Sequence, residues 1–329
     1  LQMAATESDK LITSGRYEIY NTGHPQEDYF NMYRIDDKSD LKEAVLYVDY
    51  KTNIREHNMA AAGREAGCGF SKSFVESFLC SDGLPISLSN KYLGDETMRK
   101  ETANRDPRLK QLILTNDFPT NVTDDLKDST FVVNEDEFIT QHCFTGYRPI
   151  KGFNPIYSQA LYMKSSFDGI AYRYAETLLI NAEAKAELNT ITNADLDRTV
   201  NQLRDRVGMP HLTVNVGFTD PKWPDWGYSL SPVLQEIRRE RCIELAGEGF
   251  RFNDLKRWKA GKVLNNVLTY VGKRKPDGNL AIVYPNYTNP DLSYQAGKSR
   301  TWEDKMYLYP IPTGELQRNP QLLPQNPGW

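Results

Sequence analysis

The chain has 329 residues, of which 39% are hydrophobic and 26% are charged, so it can bury one large core or two modest ones and is not intrinsically disordered. Its net charge of -4, with no stripe of Lys and Arg interleaved with aromatic residues, argues against a protein that binds the phosphates of a nucleic acid. We find no apolar run long enough to cross a membrane and no signal peptide.

The first fifty residues predict one helix, a loop and one strand. Residues 4–14 have the apolar spacing of an amphipathic helix, which ends at Ser14 and Gly15. Because the sequence opens inside this helix, we expect it to be a fragment, or the ordered part, of a longer protein. A loop rich in Tyr, Asn, Gly and Pro follows, and residues 42–50 then alternate as a short β-strand does.

The stretch from residue 51 to residue 114 predicts a polar surface loop followed by tight turns. Residues 51–81 combine glycines with polar and aromatic side chains and lead back into the core. The sequence LCSDGLPI at 79–86 specifies a turn. A helix then ends and restarts, with Asp106 as N-cap and Pro107 as the first helical residue.

A helical hairpin is predicted in the middle of the chain, after a polar and turn-rich region at 115–155. Residues 170–188 form a broad apolar face with many alanines, and residues 193–207 form a partner helix that Gly208 and Pro210 end. Small residues let two helices approach closely. The pair has about the size of a tetratricopeptide hairpin, roughly 34 residues.

The stretch at 231–260 predicts a helix, a glycine elbow at Gly247 and Gly249, and a second helix. Charged residues lie on or near both apolar stripes, and buried charges are tolerated only when each has a partner. One interpretation is a buried lattice of ion pairs. The other is a pair of catalytic carboxylates, Glu244 and Asp254, as in a glycosidase. We favour the lattice, because an arginine near each acid holds its pKa low and makes it a poor general acid.

The last part of the chain has little periodicity. Residues 263–300 lose the apolar periodicity again, and the tail at 306–329 contains five prolines. This tail is expected to run extended, apart from a turn at 314–319, and to dock through four side chains. These side chains are Tyr307, Tyr309, Ile311 and Trp329.

The usual motifs of catalysis and of metal binding are missing from the sequence. There is no G-x-S-x-G, H-E-x-x-H or Walker sequence, and the four histidines are scattered. The four cysteines do not have the spacing of metal ligands. The sequence does not decide whether Cys68 and Cys80 form a disulfide. We therefore predict no metal ion, no cofactor and no catalytic residue.

Six short sequences follow one another along the chain: LCSDGLPI, NRDPRL, YRYAETLLINAEAKAEL, NQLRDRVGMP, IRRERCIELAGEGFRFNDLKRW and YLYPIPTGELQRNPQLLPQNPGW. In this order they resemble the SusD/RagB family of outer-membrane nutrient-binding lipoproteins. The resemblance implies a mainly α fold of tetratricopeptide-like helical hairpins, with a large loop-rich region and a few short strands. It divides the chain into the end of an N-terminal helical-repeat region at 1–35 and a C-terminal region at 36–329, with the last hairpin at 170–208.

Proteins of this family have no catalytic activity. The resemblance implies that they capture glycans, or in some members peptides, at the cell surface and act as a lid on a SusC-like TonB-dependent transporter. Membrane contact is through a lipid on an N-terminal cysteine that this sequence does not contain. The residues that match the family motifs are implied to be scaffold residues: Asp82, Gly83, Arg105, Asp106, Arg173, Glu176, Glu240, Arg241, Glu244, Gly249, Arg251, Asp254, Arg257 and Trp258.

The ligand contacts of such a protein are expected in the loops. A glycan site needs exposed rings that stack on sugars and a few polar side chains that fix hydroxyls. By position, the candidates are Arg55, His57, Asn58, Arg64, Phe70 and Tyr92. The aromatic segment at 223–228 is an interface or a packed loop. A glycan binder, a peptide binder of the same family and a glycosidase therefore remain as alternatives, in that order.

Overall fold

The computed structural model describes residues 1–62, 69–140, 142–282 and 301–329. This described part is mainly helical and contains short antiparallel strand pairs, β1 with β4, β2 with β3 and β5 with β6. The helices are α1 (Gln2–Thr13), α2 (Asp28–Asn31), α3 (Met59–Ala62), α4 (Lys72–Ser77), α5 (Met98–Thr102), α6 (Arg108–Leu112), α7 (Tyr157–Ala160), α8 (Tyr174–Glu187), α9 (Asn193–Asp197), α10 (Val200–Arg206), α11 (Pro232–Glu244), α12 (Arg251–Arg257) and α13 (Thr313–Arg318). The strands are β1 (Ala44–Val48), β2 (Pro119–Val122), β3 (Ser129–Phe131), β4 (Gly169–Arg173), β5 (Val271–Arg274) and β6 (Leu280–Ile282).

Helix α8 is the centre of the helical part, and both α1 and α11 pack against it. Its buried residues include Ala175 and Ala182, whose small side chains let the neighbouring helices come close. The amide of Asn181 donates to the Ala5 carbonyl at 3.1 Å and to the Ser8 hydroxyl at 3.0 Å. These two bonds fix the position of α1 along α8 and satisfy a buried polar side chain.

The predicted helix at 170–188 is wrong in its first residues. Residues 169–173 form β4, which pairs antiparallel with β1 and places Tyr172 opposite Leu46. Arg173 is extended, with φ -135° and ψ 154°, and its guanidinium reaches Glu43 and Glu244. A sequence such as IAYR suits either conformation, so the strand pairing and the buried ion pairs decide it.

The predicted partner helix at 193–207 is divided into two short helices. Thr199 has φ -130° and ψ -95°, which interrupts the helical backbone between α9 and α10. Its hydroxyl donates to the Asp195 carbonyl at 2.6 Å, a local bond that competes with helix continuation. Gly208, with φ +66°, follows α10 as predicted.

The helix, glycine elbow and second helix predicted at 231–260 are confirmed as α11 and α12. The elbow contains Gly247 at φ +75° and Gly249 at φ +85°, backbone angles that residues with a Cβ rarely adopt. The restart after Asp106 is also confirmed. Asp106 Oδ1 accepts the Arg108 backbone N–H at 3.0 Å, and α6 begins one residue later than predicted.

The C-terminal tail contacts the rest of the chain less than expected. The Tyr307 hydroxyl accepts the Gly261 backbone N–H at 2.9 Å, so this residue docks as predicted. Tyr309 is 68% exposed, but its ring still contacts α12, because the Lys256 ammonium lies 4.0 Å from the ring centre. The indole of Trp329 donates to the Lys305 and Leu308 carbonyls of the tail itself, at 3.1 and 3.0 Å. Trp329 thus forms its hydrogen bonds within the tail.

A buried lattice of ion pairs joins the helices to the strands. We define it by five cations and five carboxylates: Arg108, Lys151, Arg173, Arg204, Arg206, Glu43, Asp106, Glu240, Glu244 and Glu248. Equal numbers of each sign let every charge find a partner, which offsets the loss of hydration.

Glu244, at the end of α11, is the centre of this ion lattice. Its carboxylate is 3.0 Å from Arg108, 2.5 Å from Arg173 and 2.6 Å from Arg206. Burial alone raises the pKa of a carboxyl group, but the three guanidinium groups hold the pKa of Glu244 well below its usual value. The lattice therefore keeps a fully buried carboxylate ionised.

Candidate ligand-binding surface

Three of the predicted ligand contacts lie together beside β1 and β4. His57 and Asn58 line a cavity of about 480 Å³ with Tyr50. The guanidinium carbon of Arg55 lies 5.0 Å from the centre of the Tyr50 ring. A backbone bridge joins His57 to Ser165, which ties this loop to the segment that leads into β4. The strand pair thus positions a small polar group on an open surface.

Both ring nitrogens of His57 form hydrogen bonds within the protein. Its Nδ1 accepts the Met59 backbone N–H at 3.1 Å, so Nε2 carries the proton and donates to the Phe167 carbonyl at 2.8 Å. The ring also packs edge-on against Tyr50 and Phe167, at 4.5 and 4.6 Å. Burial, together with the nearby charge of Lys38, lowers the pKa of His57, although the bond to Phe167 opposes this shift. His57 therefore positions the loop.

We expect His57 to titrate below pH 6.5, its ordinary pKa, in the folded protein. The unfolded chain then binds a proton at a higher pH than the folded chain does. The stability that His57 contributes is therefore present above pH 6.5 and is lost as the pH falls toward the lowered folded pKa. An NMR titration, with the signal assigned by its loss in His57→Gln, measures this pKa directly. A midpoint above pH 6.5 would contradict the hydrogen-bond assignment.

Exposed tyrosines lie on the segments that adjoin this polar group. Tyr157, Tyr162 and Tyr172 are 52%, 74% and 57% exposed, and Tyr50 lines the cavity. We call these four residues the tyrosine surface. Helix α7, which begins at Tyr157, contacts α3 beside His57. Large rings that remain in water lose the free energy of burial, so a cluster of them favours a binding surface.

Asn58 fixes the segment that carries the exposed tyrosines. Its Oδ1 accepts the Met163 backbone N–H at 3.0 Å, next to Tyr162. Tyr172 lies on β4, opposite Leu46 of β1. The tyrosine surface thus spans a loop, a short helix and a strand, all of which are tied to one another by hydrogen bonds. Sequence analysis missed Tyr157, Tyr162 and Tyr172, although a local excess of tyrosine between residues 157 and 174 was a visible signal.

The other predicted contacts lie apart from this group. Phe70 stacks on Phe74, with ring centres 4.4 Å apart, and lines a different cavity. Tyr92 is half-buried, and its ring lies 5.3 Å from the guanidinium carbon of Arg105. Burial, the largest cause, raises the pKa of Tyr92 to about 12. Arg64 lies outside the described residues.

The hypothesis of a glycosidase that uses Glu244 and Asp254 is contradicted by their surroundings. Both carboxylates are buried, and Asp254 lies 2.9 Å from Arg241 and 2.8 Å from Arg257. Glu244 belongs to the ion lattice, where its low pKa deprives it of a proton to donate. Both acids are thus buried and paired with arginines, which is not the arrangement of a catalytic pair in an open cleft.

Most residues implied to be scaffold have structural contacts. The Asp82 carboxylate accepts the Ser89 hydroxyl at 2.7 Å, and Gly83 turns the chain at φ +80°. The indole of Trp258 stacks on Trp226, with ring centres 5.4 Å apart. Arg251 is exposed and makes no ion pair within the described part of the chain, but its guanidinium carbon lies 5.9 Å from the centre of the Trp258 ring. The structure thus gives these motifs a role in packing.

Three further features of the described residues bear on function. No group of three His, Cys, Asp or Glu side chains in the described ranges is placed to hold a metal ion. Likewise, none of the described helices combines the length and the apolar character needed to cross a bilayer. Cys80 is a buried free thiol, and its candidate partner Cys68 lies outside the described residues.

Comparison with known proteins shows one consistent likeness. The family model of the SusD family matches residues 16–329. A curated relative, the SusD-like protein P2 of Formosa agariphila, is 32% identical over 166 residues, which are 50% of this chain and 27% of that protein. The chain therefore spans about a quarter of the length of this relative.

Solved structures show the same fold. A SusD-like protein from Bacteroides fragilis superposes with a TM-score of 0.69 at 25% identity, and the match covers 99% of this chain and 61% of that one. A SusD-like carbohydrate-binding protein from the same species has a TM-score of 0.66 at 23% identity, over 97% of this chain and 60% of that one. The mainly helical fold with few short strands is thus confirmed, and the chain belongs to the SusD family.

Proposed function

We propose that this chain takes part in cell-surface binding of oligo- or polysaccharides and does not cleave them. Membership of the SusD family supports glycan binding in general, and one structural neighbour is a SusD-like carbohydrate-binding protein. The observation that carries the proposal is the tyrosine surface, where Tyr157, Tyr162 and Tyr172 each expose more than half of the side chain. Such rings offer flat apolar faces to the C–H groups of a sugar.

Polar groups beside the rings would fix the sugar hydroxyls. Arg55 is exposed and already lies against the Tyr50 ring, so its guanidinium can donate hydrogen bonds at the edge of the cavity. Asn58 is half-buried next to it, and only its carbonyl oxygen is required by the Met163 backbone. A few oriented polar groups among apolar ones is the usual composition of a small-ligand site. Arg55 and Asn58 are therefore the proposed hydroxyl contacts.

The place of this protein in nutrient uptake is also a proposal. Family membership favours delivery of the bound glycan to a SusC-like TonB-dependent transporter of the outer membrane. Attachment to that membrane would be through an N-terminal lipid. Within the chain, residues 1–35 would then end the N-terminal helical repeats, and residues 36–329 would form the binding region with its last hairpin at 170–208.

Native affinity electrophoresis of the chain against a panel of polysaccharides, with reducing sugar assayed in the same samples, tests this function. Slower migration with one glycan and no release of sugar is the expected result. Release of sugar would replace the proposal with an enzyme. If no glycan slows the protein, the proposal fails, and a peptide-capturing protein becomes the better interpretation.

A further inference from the structure

A second cavity lies apart from the tyrosine surface, between α4, the loop at 220–226 and the α11–α12 elbow. Its volume is about 630 Å³, within the range of roughly 300 to 1,000 Å³ that small-molecule sites occupy. It shares no lining residue with the cavity beside His57. Six aromatic side chains contribute to its wall: Phe70, Phe74, Trp223, Trp226, Phe250 and Phe252.

The wall of this aromatic cavity is held in place by paired charges. Arg239 donates to Asp220 at 2.7 Å, to Glu236 at 3.1 Å and to the Ser77 carbonyl at 2.9 Å. Its guanidinium carbon lies 5.1 Å from the centre of the Trp223 ring. These contacts join α11 to α4 and to the loop at 220–226, so the cavity is formed before any ligand enters. A preformed site does not have to order its side chains when it binds.

Three cavity-lining residues carry a buried donor that has no hydrogen-bond partner among the residues that the structure describes. Arg241 donates through Nε to Asp254 at 2.9 Å, but its Nη1 has no such partner. The same is true of the Trp226 indole nitrogen and of Arg238 Nε, which lies 3.6 Å from Glu183. A buried donor without a partner costs about 1 to 3 kcal/mol. A ligand that brings an acceptor into this wall would recover part of that free energy.

The charges around the cavity favour an anion. Lys222 and Arg251 are exposed lining residues, and neither has an ion-pair partner in the described ranges. By contrast, the lining carboxylates Asp220 and Asp254 are paired with arginines, and the third, Glu76, lies 3.6 Å from Lys72. Among the described lining residues, the cations without an ion pair thus outnumber the carboxylates without one. An apolar wall beside unpaired cations and donors fits a ligand that has an apolar body and one negative group.

We propose that this aromatic cavity binds a small organic anion, such as an aromatic carboxylate or sulfonate, at a site separate from the glycan surface. The ring system lies among the tryptophan and phenylalanine side chains. The negative group faces Arg241, Lys222 and Arg251. This inference does not depend on the proposed glycan binding, because the two sites share no residues.

Two fluorescent probes with the same ring system test the proposal. Anilinonaphthalene sulfonate carries the negative group, and N-phenyl-naphthylamine lacks it. We expect one sulfonate probe to bind per chain, about fivefold or more tighter than the neutral probe at low salt. Equal affinities would overturn the requirement for an anion, and failure of both probes to bind would overturn the site.

A pair of double variants tests where the charge is recognised. Lys222→Gln with Arg251→Gln is expected to weaken the sulfonate probe about threefold to fivefold and to leave the neutral probe unchanged. The matched control, Lys127→Gln with Arg318→Gln, removes the same charge from side chains that are 77% and 79% exposed elsewhere. Equal weakening in the two double variants would overturn the assignment to this cavity.

Cys242 provides a separate readout, because it is half-buried and lines the cavity. Trypsin releases it in peptide 242–251, apart from the other cysteines, so mass spectrometry reports its alkylation alone. At a saturating concentration, the sulfonate probe is expected to slow the reaction of Cys242 with iodoacetamide at least threefold, because only the protein without bound probe reacts freely. Tight binding of the probe without protection of Cys242 would place the probe elsewhere and overturn the proposal.

Discussion

Replacing Glu244 with glutamine is expected to lower the free energy of unfolding by about 3 to 5 kcal/mol. Glutamine keeps the shape of the side chain but removes the negative charge that Arg108, Arg173 and Arg206 share. The lattice then holds five cations and four carboxylates, most of them buried. An unpaired buried charge is far more costly than the loss of a surface ion pair.

Urea unfolding, followed by circular dichroism, measures this difference. The matched control is Glu7→Gln, because Glu7 is 61% exposed and pairs only with Lys10 on α1. This control should change the free energy of unfolding by no more than about 0.5 kcal/mol. A Glu244→Gln variant as stable as the control would show that the ion lattice is not what holds these elements together.

Replacing Arg105 with methionine is expected to lower the free energy of unfolding by about 3 kcal/mol. The buried guanidinium donates to three backbone carbonyls, those of Val75 and Phe78 at 2.8 Å and that of Glu101 at 3.1 Å. Methionine fills much of the volume but removes the guanidinium donor from all three carbonyls, and the Val75 carbonyl keeps only the Phe78 backbone N–H at 3.4 Å. Because these carbonyls lie at the ends of α4 and α5, both helices lose C-terminal hydrogen bonds.

The control for Arg105 is Arg99→Met, at a side chain that is 67% exposed and pairs with Asp117 at 3.3 Å. Thermal or urea unfolding should show a change within about 0.5 kcal/mol for this variant. Similar losses for Arg99 and Arg105 would mean that the carbonyl contacts contribute little. A larger loss for Arg105 alone identifies them as the cause.

The helices could be predicted where local patterns decide the conformation. In α11 and α12 the apolar spacing and the two glycines specify the structure without help from other elements. At residues 169–173 the local pattern favoured a helix, yet pairing with β1 produced a strand. Thr199 likewise breaks a helix that the spacing predicted as continuous. Long-range pairing and local side-chain bonds are the two effects that periodicity does not contain.

The occurrence of buried ion pairs could be predicted from the sequence, but the residues that pair could not. Charges within the apolar stripes of residues 231–260 indicated buried ion pairs, and Arg241 was the nearest arginine to Glu244. The actual partners, Arg108, Arg173 and Arg206, are 136, 71 and 38 residues away in sequence. Arg241 pairs with Asp254 instead. Sequence spacing therefore does not determine which buried charges meet.

The candidate surface was predictable only by region. The loop that holds Arg55, His57 and Asn58 was chosen for its composition, and the structure does place these residues together. That both nitrogens of His57 are used by backbone groups depends on the fold. The exposure of Tyr162 and Tyr172 is likewise a property of the assembled surface.

The measurement that tests the glycan proposal most directly is calorimetric titration of tyrosine-surface variants. The ligand is the polysaccharide that slows the protein in native affinity electrophoresis. We expect Tyr162→Ala and Tyr172→Ala each to weaken binding about tenfold, the effect of removing an aromatic contact of about 1.4 kcal/mol. The control is Tyr309→Ala, because Tyr309 is 68% exposed on the C-terminal tail, and it should bind as tightly as the unchanged chain. Unchanged affinity in both tyrosine-surface variants would contradict the assignment of glycan binding to this surface.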